Sequence, residues 1–153
     1  GRTTVALDAV EDDNRTRETN LGSFIADAYA HATGAELGLV NGGAIRSDSV
    51  LRPGPLTRRD VLAIHPFPDS VVSIEVTGQV LREALENGVS RSAEEDGPGR
   101  FPQVSGMSYA FDVCRPAGER IVSATLSPFT RMSSGSSIAT ASSRCSARPA
   151  SGA

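Results

Sequence analysis

A chain of 153 residues, 39% hydrophobic and 22% charged, is long enough to bury one core and too apolar to be a solvated tail. Its net charge of -3 and its dispersed arginines exclude the broad basic field that holds polymeric nucleic acid, and no apolar run approaches the length of a membrane span. The first residues, Gly1-Arg2-Thr3-Thr4, carry neither an apolar signal core nor a cleavage pattern, as expected of an excised domain.

In chain order, Thr3 to Val10 alternates enough, with Val5 and Leu7 on one side, to predict an opening strand. Glu11 to Asn14 follows as a polar break, and Arg15 and Arg17 stand in the loop before the first helix. Leu21, Phe24, Ile25, Ala28 and Ala32 recur at helical spacing, with Thr19 or Asn20 as N-cap and Gly34 as terminator. Leu37 to Val40 is too short for several helical turns and predicts a buried strand. It runs into Asn41-Gly42-Gly43-Ala44-Ile45-Arg46. Adjacent glycines permit positive φ and let a ligand or another backbone approach closely, while Asn41 offers a carboxamide and Arg46 a planar cationic fork suited to phosphate or carboxylate. A plain strand-end turn with a solvated arginine has the same spacing.

After a turn-rich connection, Thr57-Arg58-Arg59-Asp60 predicts a helix start, and the helix must stop before Pro66. Phe67 therefore emerges on an extended loop. Ser70 to Val76 is β-branched and predicts a strand; Thr77 caps a helix through Val80, Leu81, Ala84, Leu85 and Val89, with Arg82, Glu83, Glu86 and Asn87 on its wet side. Ser92 to Arg100 is an acidic, glycine-containing loop anchored by Phe101. Met107 to Val113 and Ile121 to Leu126 predict two strands joined at Pro116 to Glu119. Interleaved helices and strands define an α+β class, a mixed-sheet layered alpha/beta domain. From Ser127 to Ala153 the composition shifts to Ser, Ala, Arg and Gly without period, which reads as low complexity.

Little in these residues suits catalysis directly. His31 and His65 have no histidine or carboxylate partner at a metal-binding interval, and the chain has no serine elbow, P-loop or dinucleotide fingerprint. Cys114 and Cys145 fit one bridge or two free thiols equally.

Five stretches in order carry a family resemblance: R-x-R-E-T-N-L-G-S-F-I-A-D-A, L-V-N-G-G-A-I-R-S, H-P-F after T-R-R-D-V-L, V-T-G-Q-V-L-R-E-A-L-E, and G-R-F-P-Q-V-S-G-M. Together they resemble the C-terminal domain of the 5'-nucleotidase family, which includes UDP-sugar hydrolases and 2',3'-cyclic-nucleotide phosphodiesterases, from about Thr3 to Leu126. The resemblance implies a domain of that type over 1–126 with an atypical tail over 127–153, and a nucleotide or nucleoside ligand. It assigns substrate binding to Arg15, Asn41, Gly42, Gly43, Arg46 and Phe67. Arg15, five residues before Asn20, and Arg46 would hold the phosphate or ribose side, Asn41 the base edge, and Phe67 one base face, with the glycines permitting close approach.

The family's chemistry uses two divalent metal ions on an N-terminal metallophosphatase domain, so this segment is expected to hold no cofactor and to be inactive by itself. Periplasmic, cell-surface or secreted location is likewise implied. Two departures stand out. The family commonly continues P-F-G-N where this chain has Pro66-Phe67-Pro68-Asp69, and a strand with a G-G-D-G-aromatic motif is missing after Leu126. Abrupt loss of the match there points to a frameshift or an artificial terminus, with Phe129 the one candidate for a replacement ring. The rival reading is a non-catalytic binding or structural module with a degenerate pocket. An independent hydrolase would need metal-dependent phosphate release from this segment.

Overall fold

The computed structural model describes residues 1–92 and 99–127. In chain order these form β1 (Arg2–Thr3), β2 (Leu7–Asp8), α1 (Glu11–Thr16), α2 (Asn20–Thr33), β3 (Gly38–Asn41), a 3-10 turn (Gly42–Ala44), β4 (Val50–Leu51), β5 (Gly54–Pro55), α3 (Arg58–Ile64), α4 (Gly78–Val89), β6 (Pro102–Ser105), β7 (Met107–Phe111) and β8 (Ile121–Leu126). Helices and strands mix as the α+β expectation requires. The strands join in four antiparallel pairs: β1 with β5, β2 with β4, β3 with β6, and β7 with β8.

Helix α2 starts and stops where its caps dictate. Thr19 Oγ1 accepts from the Gly22 amide at 2.9 Å, and Gly34 closes the helix at φ 69°. The face it buries is rotated from the predicted one. Leu21, Gly22, Ala26 and Ala30 are buried, with Ile25 and Tyr29 packed at the edge, whereas Phe24, Ala28 and Ala32 are exposed. Small residues win because the helix lies close against β3 and β6: a Cβ on Gly38 would collide with the Ala26 carbonyl, and one on Gly22 with the Gln103 side chain. Bulk on that face would push the layers apart.

Two apolar clusters form around the β3–β6 pair. Leu7, Leu21, Val40, Ile45 and Ile64 are in the first, and Leu85, Val89, Phe101, Met107, Tyr109, Phe111 and Ile121 in the second. Phe101 anchors its loop in the core as expected, at 2% exposure. Tyr109 donates to the Pro102 carbonyl at 2.8 Å, and burial, then the charge of Glu18, pushes its hydroxyl far above the usual range.

Several expectations give way to the structure. Residues 11–16 are a helix rather than a polar break, because Glu11, Asp12 and Asp13 fill its positive first turn and Glu11–Arg15 and Asp13–Arg17 pair one turn apart. Only two two-residue strands occupy the stretch predicted as one opening strand. Ser70 to Val76 forms no strand, and Val72 and Ile74 are 77% and 76% exposed, since β-branching favours a strand only where a neighbour pairs with it. Glu86, placed on the wet side of α4, is buried; its carboxylate accepts from the Arg120 and Ile121 amides at 2.9 and 2.8 Å and so holds the start of β8. Val80 and Ala84 are exposed instead. Cys114 is disulfide-bonded. Cys145, Phe129 and the predicted low-complexity segment from Pro128 onward lie outside the described residues, as does most of the acidic loop.

Candidate functional site

Two of the predicted residues meet at one atom. Glu11 Oε2 accepts from Arg15 Nη2 at 2.8 Å and lies 3.1 Å from Arg46 Nη1, so guanidinium groups from α1 and from the turn after β3 converge on one carboxylate oxygen. All three side chains are partly open to solvent, at 22%, 36% and 24% exposure for Arg15, Arg46 and Glu11. Arg15 Nε is buried and has no acceptor among the described residues.

The backbone around this corner is heavily braced. The Glu11 amide donates to Asp48 Oδ1 at 3.1 Å, and the Arg46 amide donates to the Ile64 carbonyl at 2.7 Å. Behind α1 lies a buried polar knot. Asn14 Nδ2 donates to the Asp8 and Val10 carbonyls at 3.0 and 2.8 Å, and its Oδ1 accepts from Thr19 Oγ1 at 2.6 Å. Gln103 Nε2 donates to the Asn14 and Arg17 carbonyls at 2.9 and 2.7 Å, while its Oε1 accepts from the Thr19 amide at 3.1 Å. Both amides are fully buried, so α1 and the arginine it carries are fixed to β6 and α2. Arg17 turns elsewhere, to Asp8 and Asp13 at 3.0 and 2.7 Å.

The Arg46–Ile64 bond also ties the corner to the end of α3. That helix opens with the predicted box: Thr57 Oγ1 accepts from the Asp60 amide, and the Asp60 carboxylate accepts from the Thr57 amide at 2.7 Å. The same hydroxyl and amide donors of Thr57 hold the Asp60 carboxyl below its ordinary range. Past the helix, His65 Nε2 and Tyr29 Oη are hydrogen-bonded at 2.7 Å, and the His65 ring stands edge-on to Phe67 with centroids 6.3 Å apart. Burial, then the charge of Asp69, raises the Tyr29 hydroxyl pKa. Phe67 keeps 43% exposure, as its loop position predicts.

Asn41 and the glycines lie differently. Asn41 Nδ2 donates to the Gly99 carbonyl at 3.1 Å, and the side chain borders an open cleft of about 570 Å³ with Leu39, Ala84, Asn87, Arg100 and Pro102. Arg15, Arg46 and Phe67 do not border that cleft. The amides of Gly42 and Gly43 donate to the Phe101 and Gly99 carbonyls at 2.7 and 2.8 Å, and neither glycine has positive φ. A Cβ on Gly42 would collide with the Asn14 carbonyl, and one on Gly43 would lie 2.7 Å from Gly99 Cα. Of the two reasons for paired glycines, close approach of another backbone is the one seen here.

Among the described residues no three His, Cys, Asp or Glu side chains cluster, His31 is exposed at the end of α2, and His65 is bonded to Tyr29. Also among the described residues, no helix is long and apolar enough to cross a membrane. Three residues of the corner escaped sequence reasoning: Glu11, Asn14 and Gln103. Only Gln103 left a trace, as a polar residue inside the R-F-P-Q-V-S-G-M stretch.

By fold, the class is an α+β domain of helices packed on antiparallel pairs, with a cationic corner and no assembled metal-ligand set among its described residues. The family model for the 5'-nucleotidase C-terminal domain matches residues 1–132. The trifunctional nucleotide phosphoesterase protein YfkN of Bacillus subtilis (strain 168) is 40% identical over 126 residues, which are 80% of this chain and 8% of that protein. A snake venom 5'-nucleotidase from Naja atra is 33% identical over 135 residues, covering 80% of this chain and 25% of the enzyme. Among solved structures, the 5'-nucleotidase precursor from Thermus thermophilus superposes with a TM-score of 0.75 at 39% identity, over 82% of this chain and 25% of that one. The chain therefore belongs to the 5'-nucleotidase family and corresponds to its C-terminal domain, spanning a quarter or less of each of these relatives.

Proposed function

We propose that this chain is the nucleotide-recognition domain of a metal-dependent 5'-nucleotidase-like phosphoester hydrolase, with the chemistry carried by two divalent metal ions on a separate N-terminal domain. Convergence of Arg15 and Arg46 on one carboxylate oxygen carries this reading, because the geometry that grips the Glu11 oxygen also suits a phosphate oxygen. Arg46 is joined through Ile64 to the loop that presents Phe67, whose exposed ring offers an apolar plane to a base. Asn41, at the neighbouring cleft, is assigned the base edge. Gly42 and Gly43 contribute by shaping the turn, since their amides are already engaged. No step of hydrolysis is assigned to residues of this chain. A periplasmic, cell-surface or secreted setting is part of the proposal and is supported by the venom relative.

The test is a calorimetric titration of the chain with a nucleoside and with its 5'-monophosphate. Arg46→Ala is expected to weaken the monophosphate selectively, and Phe67→Ala to weaken both ligands. Silence toward both ligands overturns the reading. One observation favours the rival, a structural module with a degenerate pocket: Glu11 already neutralises part of the arginine pair. On that reading Arg46→Ala lowers the melting temperature and no nucleotide binds.

A further inference from the structure

The arginine pair is not empty. Glu11 carries one negative charge against two guanidinium charges, and it meets both through the same oxygen, Oε2. Arg15 Nε remains buried without an acceptor among the described residues, so the internal carboxylate leaves one donor of the corner unsatisfied. The side chain reaches the corner because α1 starts at Glu11, whose amide is held by Asp48 in a turn where Ser47 and Asp48 both take positive φ, 93° and 44°.

We propose that Glu11 is an internal occupant of this anion site: a ligand enters by displacing the Glu11 carboxylate, so an anion binds only where it offers the two arginines more than one carboxylate does, as a phosphomonoester dianion can. The substrate class rests on the nucleotide-recognition reading; the displacement itself does not. A monoanionic carboxylate replaces Glu11 like for like and gains no charge complement. A phosphomonoester brings a second charge and three terminal oxygens, enough to engage both guanidinium forks and the spare Arg15 donor. Because the residues are partly exposed, the competition is modest in size. Removing the Glu11 charge is expected to tighten binding of a dianion about tenfold, the combined change expected from its two screened contacts with Arg15 and Arg46.

Glu11→Gln keeps the shape of the side chain and removes its charge. The experiment compares inorganic phosphate binding to the wild-type 153-residue chain and to Glu11→Gln, by calorimetry and by thermal shift, at mildly alkaline pH and matched ionic strength in chloride. About tenfold tighter phosphate binding in the variant supports the proposal, as does a comparable gain in formate binding. Equal or weaker phosphate binding in the variant overturns it. Glu11→Asp, one methylene shorter, withdraws the carboxylate from the arginines while keeping the helix start acidic; it carries the same comparison if the glutamine variant does not fold, with a smaller gain expected. If nucleotides fail to bind any of these proteins while Glu11→Gln gains phosphate affinity, the nucleotide reading falls and the Glu11 assignment stands.

Discussion

Replacing Gln103 by methionine tests whether the buried polar knot holds the arginine corner in place. Methionine matches glutamine in length and fills the same fully buried space, so packing is nearly conserved and hydrogen bonding is what changes. Three backbone groups lose their partner: the Thr19 amide, the Asn14 carbonyl and the Arg17 carbonyl. A buried polar group left unsatisfied costs about 1–3 kcal/mol, and the Arg17 carbonyl is only partly buried, so the expected loss is about 3–5 kcal/mol. That is a large share of a typical domain stability of roughly 5–15 kcal/mol. With a slope of about 2 kcal/mol per molar urea, the unfolding midpoint should fall by about 2 M. Urea denaturation followed by circular dichroism measures the midpoint, and amide exchange shows whether residues 11–16 open first. A midpoint shift under about 0.5 M, with α1 amides as protected as before, would refute the assignment of the knot as the support of this corner.

Other outcomes follow from the same contacts. Gly42→Ala should cost about 3 kcal/mol or more, since its Cβ would meet the Asn14 carbonyl, a backbone atom that cannot swing aside; an unchanged melting temperature contradicts the packing role. Tyr29→Phe removes the bond to His65 and should lower stability by about 1 kcal/mol while broadening the Phe67 resonances in NMR spectra. Phe67→Ala should leave the fold intact, because the ring is 43% exposed, yet weaken nucleoside binding by about 1–3 kcal/mol, the worth of one stacked base face. Asp60 gives a pH signature. Its folded pKa lies below the unfolded value of about 3.9, so its contribution is present above that pH and is lost as pH falls through the folded pKa. An Asp60 carboxyl carbon that titrates at or above the unfolded value contradicts the capping box.

What the sequence disclosed depended on how local the cause was. The caps of α2 and the Thr57–Asp60 box are set by neighbours within four residues, and both stand as read. The turn at Pro116 to Glu119 also holds, with Gly118 at φ 94° between β7 and β8. Helix α1 was hidden because charge pairs and the Asn14 knot hold it rather than an apolar stripe, and hydrophobic periodicity was the signal being read. β6 was hidden for a related reason: it begins at a proline and exists through its pairing with β3, some sixty residues earlier in the chain. Residues 70–76 err the other way, with strand composition and no partner strand among the described residues. The family motifs single out Arg15 and Arg46, which the structure brings to one carboxylate, and Phe67, which it leaves exposed on its loop. Glu11 was not legible, since its approach to Arg46 crosses 35 positions of chain that only the fold brings together.

The proposed nucleotide recognition stands or falls on whether the Arg15–Arg46 corner, with Phe67 on the loop beyond α3, takes a ligand. The most direct measurement is an NMR titration of the labelled chain with a nucleoside 5'-monophosphate, following arginine side-chain and aromatic signals. Saturable shifts are expected at Arg15, Arg46 and Phe67, with the arginine shifts missing when the nucleoside without phosphate is added. Shifts that never appear, or that gather away from these three residues, would contradict it.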